Sequence, residues 1–349
     1  MKILLGFFLV LSISSSAYRC LSAEDTLTIK GTGDIEPYSD YPPGRYPRPA
    51  VITNLLDNVI PYLRDADLVI GNFEGSITKN KYSNKDMSKN KSLFAFRYPP
   101  GDTEALIQKA GFNAVQLANN HGLDFGKSGL ADTMMAFRSV GIGCVGLKGE
   151  ILYGMFKSIR VAVIGFHYSD GEFNSMYDMD RALNLIMDAR TNADVVVITI
   201  HAGGEGQNYR HVTRREEIYL GEHRGDIYNF AHRVIDAGAD CLIGFSPHVL
   251  RGMEMYRGHV IAYSMGNFMG YAGELSREGV LANSAILELD LSRDGEFVSG
   301  RIIPLTISEN GTPVYDDMQR SVDFIRKLSF EDFPESEMEI GTNGELLKK

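Results

Sequence analysis

The triplet Asn119-Asn120-His121, inside the stretch Asn113–Asp124, is a group of side chains equipped for chemistry. It follows a short apolar run, Ala114 to Ala118, that reads as a buried strand, and Gly122 lets the chain turn away. Carboxamide and imidazole groups at a buried strand end need partners, because an unpaired polar group removed from water is costly. A metal ion, a phosphate or a locally hydrogen-bonded loop would each supply them. The same kind of ending recurs along the chain. Asp34, Asn72 with Glu74, His167, His201, Ser246 with His248, and Asn267 each close an apolar run. Four of the eight histidines stand at such ends, whereas His211, His223, His232 and His259 fall in helical or loop patterns and read as surface or packing residues. One histidine after a strand is ordinarily a hydrogen-bonded core residue. The recurrence is what points to a site, and His167 is its weakest member. Asp, Glu, Asn and His together offer the mixed oxygen and nitrogen donors suited to Mn, Zn or Fe. One such divalent ion, or two held close together, would polarise a substrate oxygen and lower the pKa of a bound water.

These endings gather only if the strands carrying them lie side by side. Leu27–Asp34, Leu68–Ile70, Ile142–Val145, Arg160–Phe166, Asp194–Ile200, Cys241–Phe245 and Val260–Met265 read as strands. Amphipathic spacing predicts helices over Val51–Leu63, Asp102–Ala110, Ser128–Val140, Asp178–Ala189 and Asp226–Ala237. Strands alternating with helices imply an α/β fold, and the carboxyl ends of such strands converge on the crevice where ligands bind. Pro37, Pro42, Pro43, Pro47 and Pro49 mark an irregular loop suited to the rim of a site. Lys79–Lys91 is a polar, Lys-rich excursion, and Tyr209–Glu222 is a charged stretch. Towards the end, Ala285–Leu291 and Arg301–Ile307 alternate as strands about a hairpin-like turn at Ser292–Gly295. A helix near Val322–Leu328 and a polar, acidic tail follow.

Composition narrows the function. The chain has 349 residues, 44% of them hydrophobic, and a net charge of −10 with no basic block, which argues against nucleic acid as a partner. Met1-Lys2, the apolar run Ile3 to Ile13, and small residues through Ala17 and Ala23 have the pattern of a cleaved export signal, with an uncleaved anchor as the alternative. That run is shorter than the roughly 20 residues needed to cross a bilayer. Cys144 and Cys241 lie in apolar strand patterns and read as core residues, not as a disulfide framework. The sequence contains neither a Gly-x-Ser-x-Gly elbow nor a phosphate-binding P-loop, and Gly31-Thr-Gly-Asp34 lacks the third glycine of a dinucleotide fingerprint.

Five blocks, taken together, resemble the CapA family, the bacterial poly-γ-glutamate capsule-synthesis proteins. They are GDI at Gly33–Ile35, GNFEGSIT at Gly71–Thr78, LANNHGLDFG at Leu117–Gly126, HAGGE at His201–Glu205, and the long run from Asp236 to Phe268 ending in SMGNF. The resemblance implies a metallophosphoesterase-like sandwich, two packed mixed β-sheets flanked by helices. It implies metal ligands at Asp34, Glu74, Asn120, His121, His201 and His248, and catalytic roles for His121, Glu205 and Asn267. By analogy with the phosphoesterases, His121 is the candidate general acid. Two departures stand out: Ser246 occupies a position where family members often carry a second histidine, and Ala202 one where an aromatic residue is frequent. The related phosphoesterases also place a histidine two residues after the first-strand aspartate, where this chain has Glu36.

The expected organisation is an export signal over residues 1–23, one metallophosphoesterase-like domain over 24–310, and a C-terminal helix and tail over 311–349. The expected location is periplasmic, extracellular or otherwise at the cell envelope. The resemblance implies a hydrolase-like role in capsule biosynthesis, with an anionic polymer or phosphoester as substrate and other capsule-synthesis membrane proteins as partners. A non-enzymatic accessory that binds an anionic polymer, and a general phosphoesterase unrelated to capsule, stand as the alternatives.

Overall fold

Long apolar runs such as Val195–Ile200 have no polar face, so such a strand must be covered on both sides. The computed structural model, which describes residues 26–85, 93–273 and 275–349, satisfies this with two packed mixed sheets and a helical layer outside each. The segment 1–23, Cys20 within it, and the Lys-rich excursion beyond Lys85 lie outside the described residues.

The first sheet runs Pro313–Tyr315, Phe297–Ile307, Asn283–Ser292, Thr26–Glu36, Leu68–Phe73, Ala114–Gln116 and Gly143–Val145. Thr26–Glu36 changes partner along its length. Thr26 to Gly31 pairs antiparallel with Asn283–Ser292, and Asp34 to Glu36 pairs parallel with the short strand Asn267–Gly270. Gly33 makes that switch feasible: a Cβ there would stand 2.0 Å from the Gly266 carbonyl oxygen, which accepts the Asp34 N–H at 2.8 Å. The second sheet runs Met253–Tyr256, His259–Ala262, Cys241–Phe245, Val195–His201, Ile159–His167 and Leu152–Phe156, with four parallel strands inside two antiparallel edges.

Ile29, Ile70, Val163, Val197 and Ile243 fill the space between the sheets. Helices Asp102–Lys109 and Gly126–Ser139 cover the outer face of the first sheet with Ile107 and Phe137, while Met179–Asn192 and Ile227–Asp236 cover the second with Ile186 and Phe230. Each such side chain contributes roughly 1.5–3 kcal/mol on burial. Cys144 and Cys241 are buried free thiols in different clusters, and burial pushes Cys144 up to about 12.

Three segments depart from the sequence expectation. Val51–Leu63 is not one helix. It splits into a 3-10 turn, Ile52–Asn54, and a single helical turn, Ile60–Leu63, because Pro61 has no N–H and is tolerated only in a first helical turn. Its apolar residues are buried regardless. Part of the charged stretch from Tyr209 is the hairpin Glu217–Tyr219 and Glu222–Gly225. The polar tail also folds. The helix expected near Val322–Leu328 is present as Arg320–Asp332, and beyond it the tail forms a hairpin, Met338–Ile340 with Leu346–Lys348; together they place Val322, Ile325, Met338, Ile340 and Leu346 in the inter-sheet core.

Candidate metal site

The strand endings meet at one end of the sandwich. Leu68–Phe73 lies parallel beside Thr26–Glu36, with Asn72 opposite Asp34. From the other sheet, Val195–His201 ends in His201, and the turn after Cys241–Phe245 carries His248. That turn is held in an unusual backbone conformation, with φ of 98° at Ser246 and 53° at His248. Left-handed non-glycine residues cost energy and persist only where the surroundings dictate them. Arg251 is one such constraint: fully buried, it forks onto Glu217 at 2.8 and 3.0 Å and donates to the Gly204 carbonyl. Glu217 in turn accepts from the Gly204 N–H. The buried pair ties the His201–Glu205 turn to the segment that follows His248.

Two overlapping groups of ligand-type atoms result. Asp34, Glu74 and His201 offer atoms within 4.8 Å of one another, and so do Glu36, Glu74 and His248, so Glu74 belongs to both. Asp34, Glu74 and His201 are fully buried. The Asn72 Nδ2 sits among the first three, 2.8 Å from Asp34 Oδ1, 2.8 Å from Glu74 Oε1 and 3.1 Å from His201 Nδ1. Its orientation follows from a relay: His121 N–H donates to Asn119 Oδ1, and Asn119 Nδ2 donates to Asn72 Oδ1.

The electrostatics are those of carboxylates and imidazoles crowded into a buried space. Burial, then the nearby Asp34 charge, raises Glu74 well above the usual carboxylate range. Burial pushes His201 well below its ordinary value. For His248 burial acts downward but is outweighed by Asp34 and Glu74, which hold it up at about 10. Glu74 Oε2, Asn120 Oδ1 and His201 Nε2 are buried with no hydrogen-bond partner among the described residues. Natural proteins satisfy nearly all such atoms. Crowded carboxylates, an imidazole and orphaned lone pairs are a donor set that fits a divalent transition metal.

The remaining expected residues line the mouth. His121 is in neither ligand group. Its Nδ1 lies 2.9 Å from Asp124 Oδ2 and its ring packs on Phe96 at 4.5 Å, leaving Nε2 as the atom available to the cleft. Burial lowers His121 in spite of Asp124, while His121 and Lys85 outweigh burial to hold Asp124 low. Asn267 Oδ1 faces His248 Nδ1 at 2.9 Å. Glu205 pairs with Arg224 at 2.8 Å, and Arg224 stacks over Tyr168. Asn120, His121, Glu205, His248 and Asn267 share a cleft of about 240 Å³. His167 is buried beneath, its ring 5.5 Å from that of His201, with Nδ1 bonded to Ser169 and its pKa pushed down to about 3 by burial. Ser246 Oγ donates to the Gly203 carbonyl at 3.4 Å. Glu36, Asp124 and Arg224 carry parts of the arrangement that strand endings alone did not single out. Asp124 was legible as the acid three residues after His121, whereas Arg224 has no local signal.

Residues 28–272 match the family described as bacterial capsule synthesis protein PGA_cap. The chain is 32% identical to the capsule biosynthesis protein CapA of Bacillus anthracis over 233 residues, 61% of this chain and 52% of that protein. It is 28% identical to the PGA biosynthesis protein CapA of Bacillus subtilis over 267 residues, 71% of this chain and 64% of that one. The match thus spans about half to under two thirds of these relatives. Among solved structures, a novel phosphatase from Mycoplasma pneumoniae aligns over 84% of this chain and 96% of its own, at 14% identity and a TM-score of 0.47. The family match contains every residue of the two ligand groups and of the cleft's His121, Glu205 and Asn267, and the chain belongs to the bacterial capsule synthesis (PGA_cap) family, which it resembles through its CapA members.

Proposed function

We propose that this protein is a metal-dependent hydrolase of the cell envelope that acts on poly-γ-glutamate, or a closely related anionic polymer, during capsule assembly. The observation that carries the proposal is the convergence of Asp34, Glu36, Glu74, His201 and His248 into two ligand groups sharing Glu74. Asp34, Glu74 and His201 would hold one ion, and Glu36, Glu74 and His248 a second, with Asn120 offering a further oxygen. A bound divalent ion supplies Lewis-acid activation of a substrate oxygen and of water. His121, oriented by Asp124, is placed at the cleft to hand a proton to the leaving group. Asn267 orients His248, and Arg224 holds Glu205 at the mouth. The export signal read in residues 1–23 puts this chemistry outside the cytoplasm, beside membrane-bound capsule-synthesis partners. That part of the proposal rests on sequence, since no helix among the described residues is long and apolar enough to cross a membrane.

Ser246 favours a second reading. Its hydroxyl is spent on a backbone carbonyl, so the site lacks a ligand that family members often have. With no ion bound, the cleft would bind an anionic polymer without cleaving it. Elemental analysis of the purified protein, followed by cleavage assays on poly-γ-glutamate and on a phosphodiester, separates the readings. Stoichiometric Mn, Zn or Fe with polymer cleavage that His201→Ala abolishes is the expected result. A metal-free protein that cleaves neither substrate sinks the hydrolase, and cleavage of the phosphodiester alone points to a general phosphoesterase.

A further inference from the structure

The cleft has one wall of packed rings running from His121 to Phe94. The His121 ring packs on Phe96 with centroids 4.5 Å apart, Phe96 stacks with Phe94 at 6.4 Å, and the Arg45 guanidinium lies 4.7 Å above the Phe94 ring. Arg45 also stands over Tyr46 at 5.4 Å, so two rings hold it. The loop that presents it is anchored: Asp40 pairs with Arg97 at 2.7 Å, and Arg97 lies over Tyr41.

Arg45 differs from four of the cations around this cleft, which hold carboxylates, and from Arg277, which donates to the Ser308 carbonyl. Lys85 is paired with Asp124, Arg97 with Asp40, Arg224 with Glu205, and Arg48 with Asp102. Among the described residues no carboxylate comes within ion-pair distance of Arg45, which is exposed, as Phe94 is at 38%. A guanidinium held over a ring by cation–π attraction keeps N–H groups with which to fork onto a planar oxyanion. The protein as a whole carries a charge of −10 and would repel an anionic chain, so an uncommitted cation at the mouth has a large local effect.

We propose that Arg45, backed by Phe94 and Tyr46, is an outer subsite that binds a carboxylate of a chain substrate several units from the reacting bond. This rests on the reading that the cleft takes an anionic polymer, and it adds where the polymer is gripped and the expectation that long chains bind more tightly than short ones. The exposed Phe94 ring, backed by the buried Phe96, provides an apolar surface for the methylene groups between charges.

The test measures binding and not turnover, so it stands apart from the metal chemistry. A fluorescent γ-linked glutamate oligomer, long or dimeric, is titrated into the full chain and into Arg45→Gln and Arg45→Glu. The long oligomer is expected to bind Arg45→Gln about fivefold to tenfold more weakly, Arg45→Glu weaker still, and the dimer equally to all three. A polyphosphate of matching length that loses as much or more to Arg45→Gln would reassign the subsite from carboxylate to phosphate and overturn the proposal as stated. It is also overturned if both variants bind the long oligomer like the parent, or if the parent binds no oligomer. Should hydrolysis fail while the Arg45 effect holds, the subsite survives and only the hydrolase reading falls.

Discussion

The inner and outer tiers of the site are built on opposite terms. Asp34, Glu74 and His201 are sealed from solvent, and Asn72 sits among them with a side chain fixed through Asn119 and the His121 backbone. His248, 16% exposed at its side chain, together with Asn120, His121, Glu205 and Asn267, opens onto the cleft, and several of these residues have a partner of their own behind them. The inner tier stores unfavourable electrostatics, with carboxylates crowded in low dielectric and lone pairs left over. The outer tier has much of its polarity satisfied from behind, which leaves one face of each group for a ligand. On the proposed function the inner tier holds the first ion, while the outer tier completes the second ion's ligands through His248 and carries the acid His121. Perturbing each should therefore fail differently.

The largest separation is expected at His121. His121→Ala should lower turnover by about 10²- to 10⁴-fold, the usual contribution of a positioned acid or base, with metal content unchanged. Asp124→Asn should follow the same pattern more mildly, since it keeps an oxygen for His121 Nδ1 and the Phe96 N–H while weakening the ion pair with Lys85. Loss of metal from His121→Ala, measured by elemental analysis, would move His121 into the ligand set and collapse the two tiers into one.

Glu74 should behave in the opposite way. It is the member common to both ligand groups, so Glu74→Gln should weaken metal binding by about 100-fold or more, the upper end of what even indirect ligand partners contribute. The same change relieves a buried carboxylate raised by burial and by Asp34. The metal-free variant should therefore be more stable by about 1–2 kcal/mol, in the range typical of relieving functional strain. Thermal melts with and without chelator read this directly: the variant melts above the parent without metal and below it with metal. Equal melting of the metal-free forms would mean that the inner tier stores no repulsion.

How far the two tiers were legible in the sequence follows from where their partners lie. Asp34, Asn72, Glu74 and His201 each close or follow an apolar run, so strand endings marked the inner tier, while parallel pairing sets Asn72 beside Asp34 and the packing of the second sheet brings His201 to them. The outer tier depends on contacts between segments far apart in sequence. Glu217 closes on Arg251, and Arg224 on Glu205, from a hairpin that read only as charged, because its short strands have no apolar alternation. The broken helix at Val51–Leu63 hid behind good amphipathic spacing until Pro61 is weighed. The C-terminal hairpin did leave a local signal, Asn343-Gly344 between Ile340 and Leu346, with Gly344 at φ 85° as a tight turn requires.

A smaller effect isolates the outer ligand group. Asn267→Ala removes the oxygen 2.9 Å from His248 Nδ1 and frees that ring to turn. Partners behind a ligand typically contribute 10–100-fold to metal affinity, and here, with Asp34 still 3.2 Å from the same nitrogen, about tenfold is expected. Calorimetric titration with Mn or Zn should show the weaker of two binding events shift and the stronger one stay. A shift in both would mean that the tiers exchange ligands.

The smallest effect comes from adding a group instead of removing one. Ser246 is fully buried on the turn between the two sheets, where its hydroxyl reaches only the Gly203 carbonyl. Its positive φ is already imposed by the fold, so a histidine there pays no backbone strain beyond what serine pays. What it does meet is a packed surrounding, and inserting a larger side chain typically costs about 1–3 kcal/mol. Against that cost stands one more imidazole beside His201 and His248, in a site whose second ligand group has a single nitrogen donor. Ser246→His should therefore fold with a lower melting point, bind the second ion several-fold more tightly, and recover part of the lost stability when metal is added. Ser246→Ala should leave metal binding where it was. If the histidine variant gains no affinity while keeping its fold, the serine is not a missing ligand. The cleft would then work with the five ligands it has, and the argument for a purely binding role loses its one structural support.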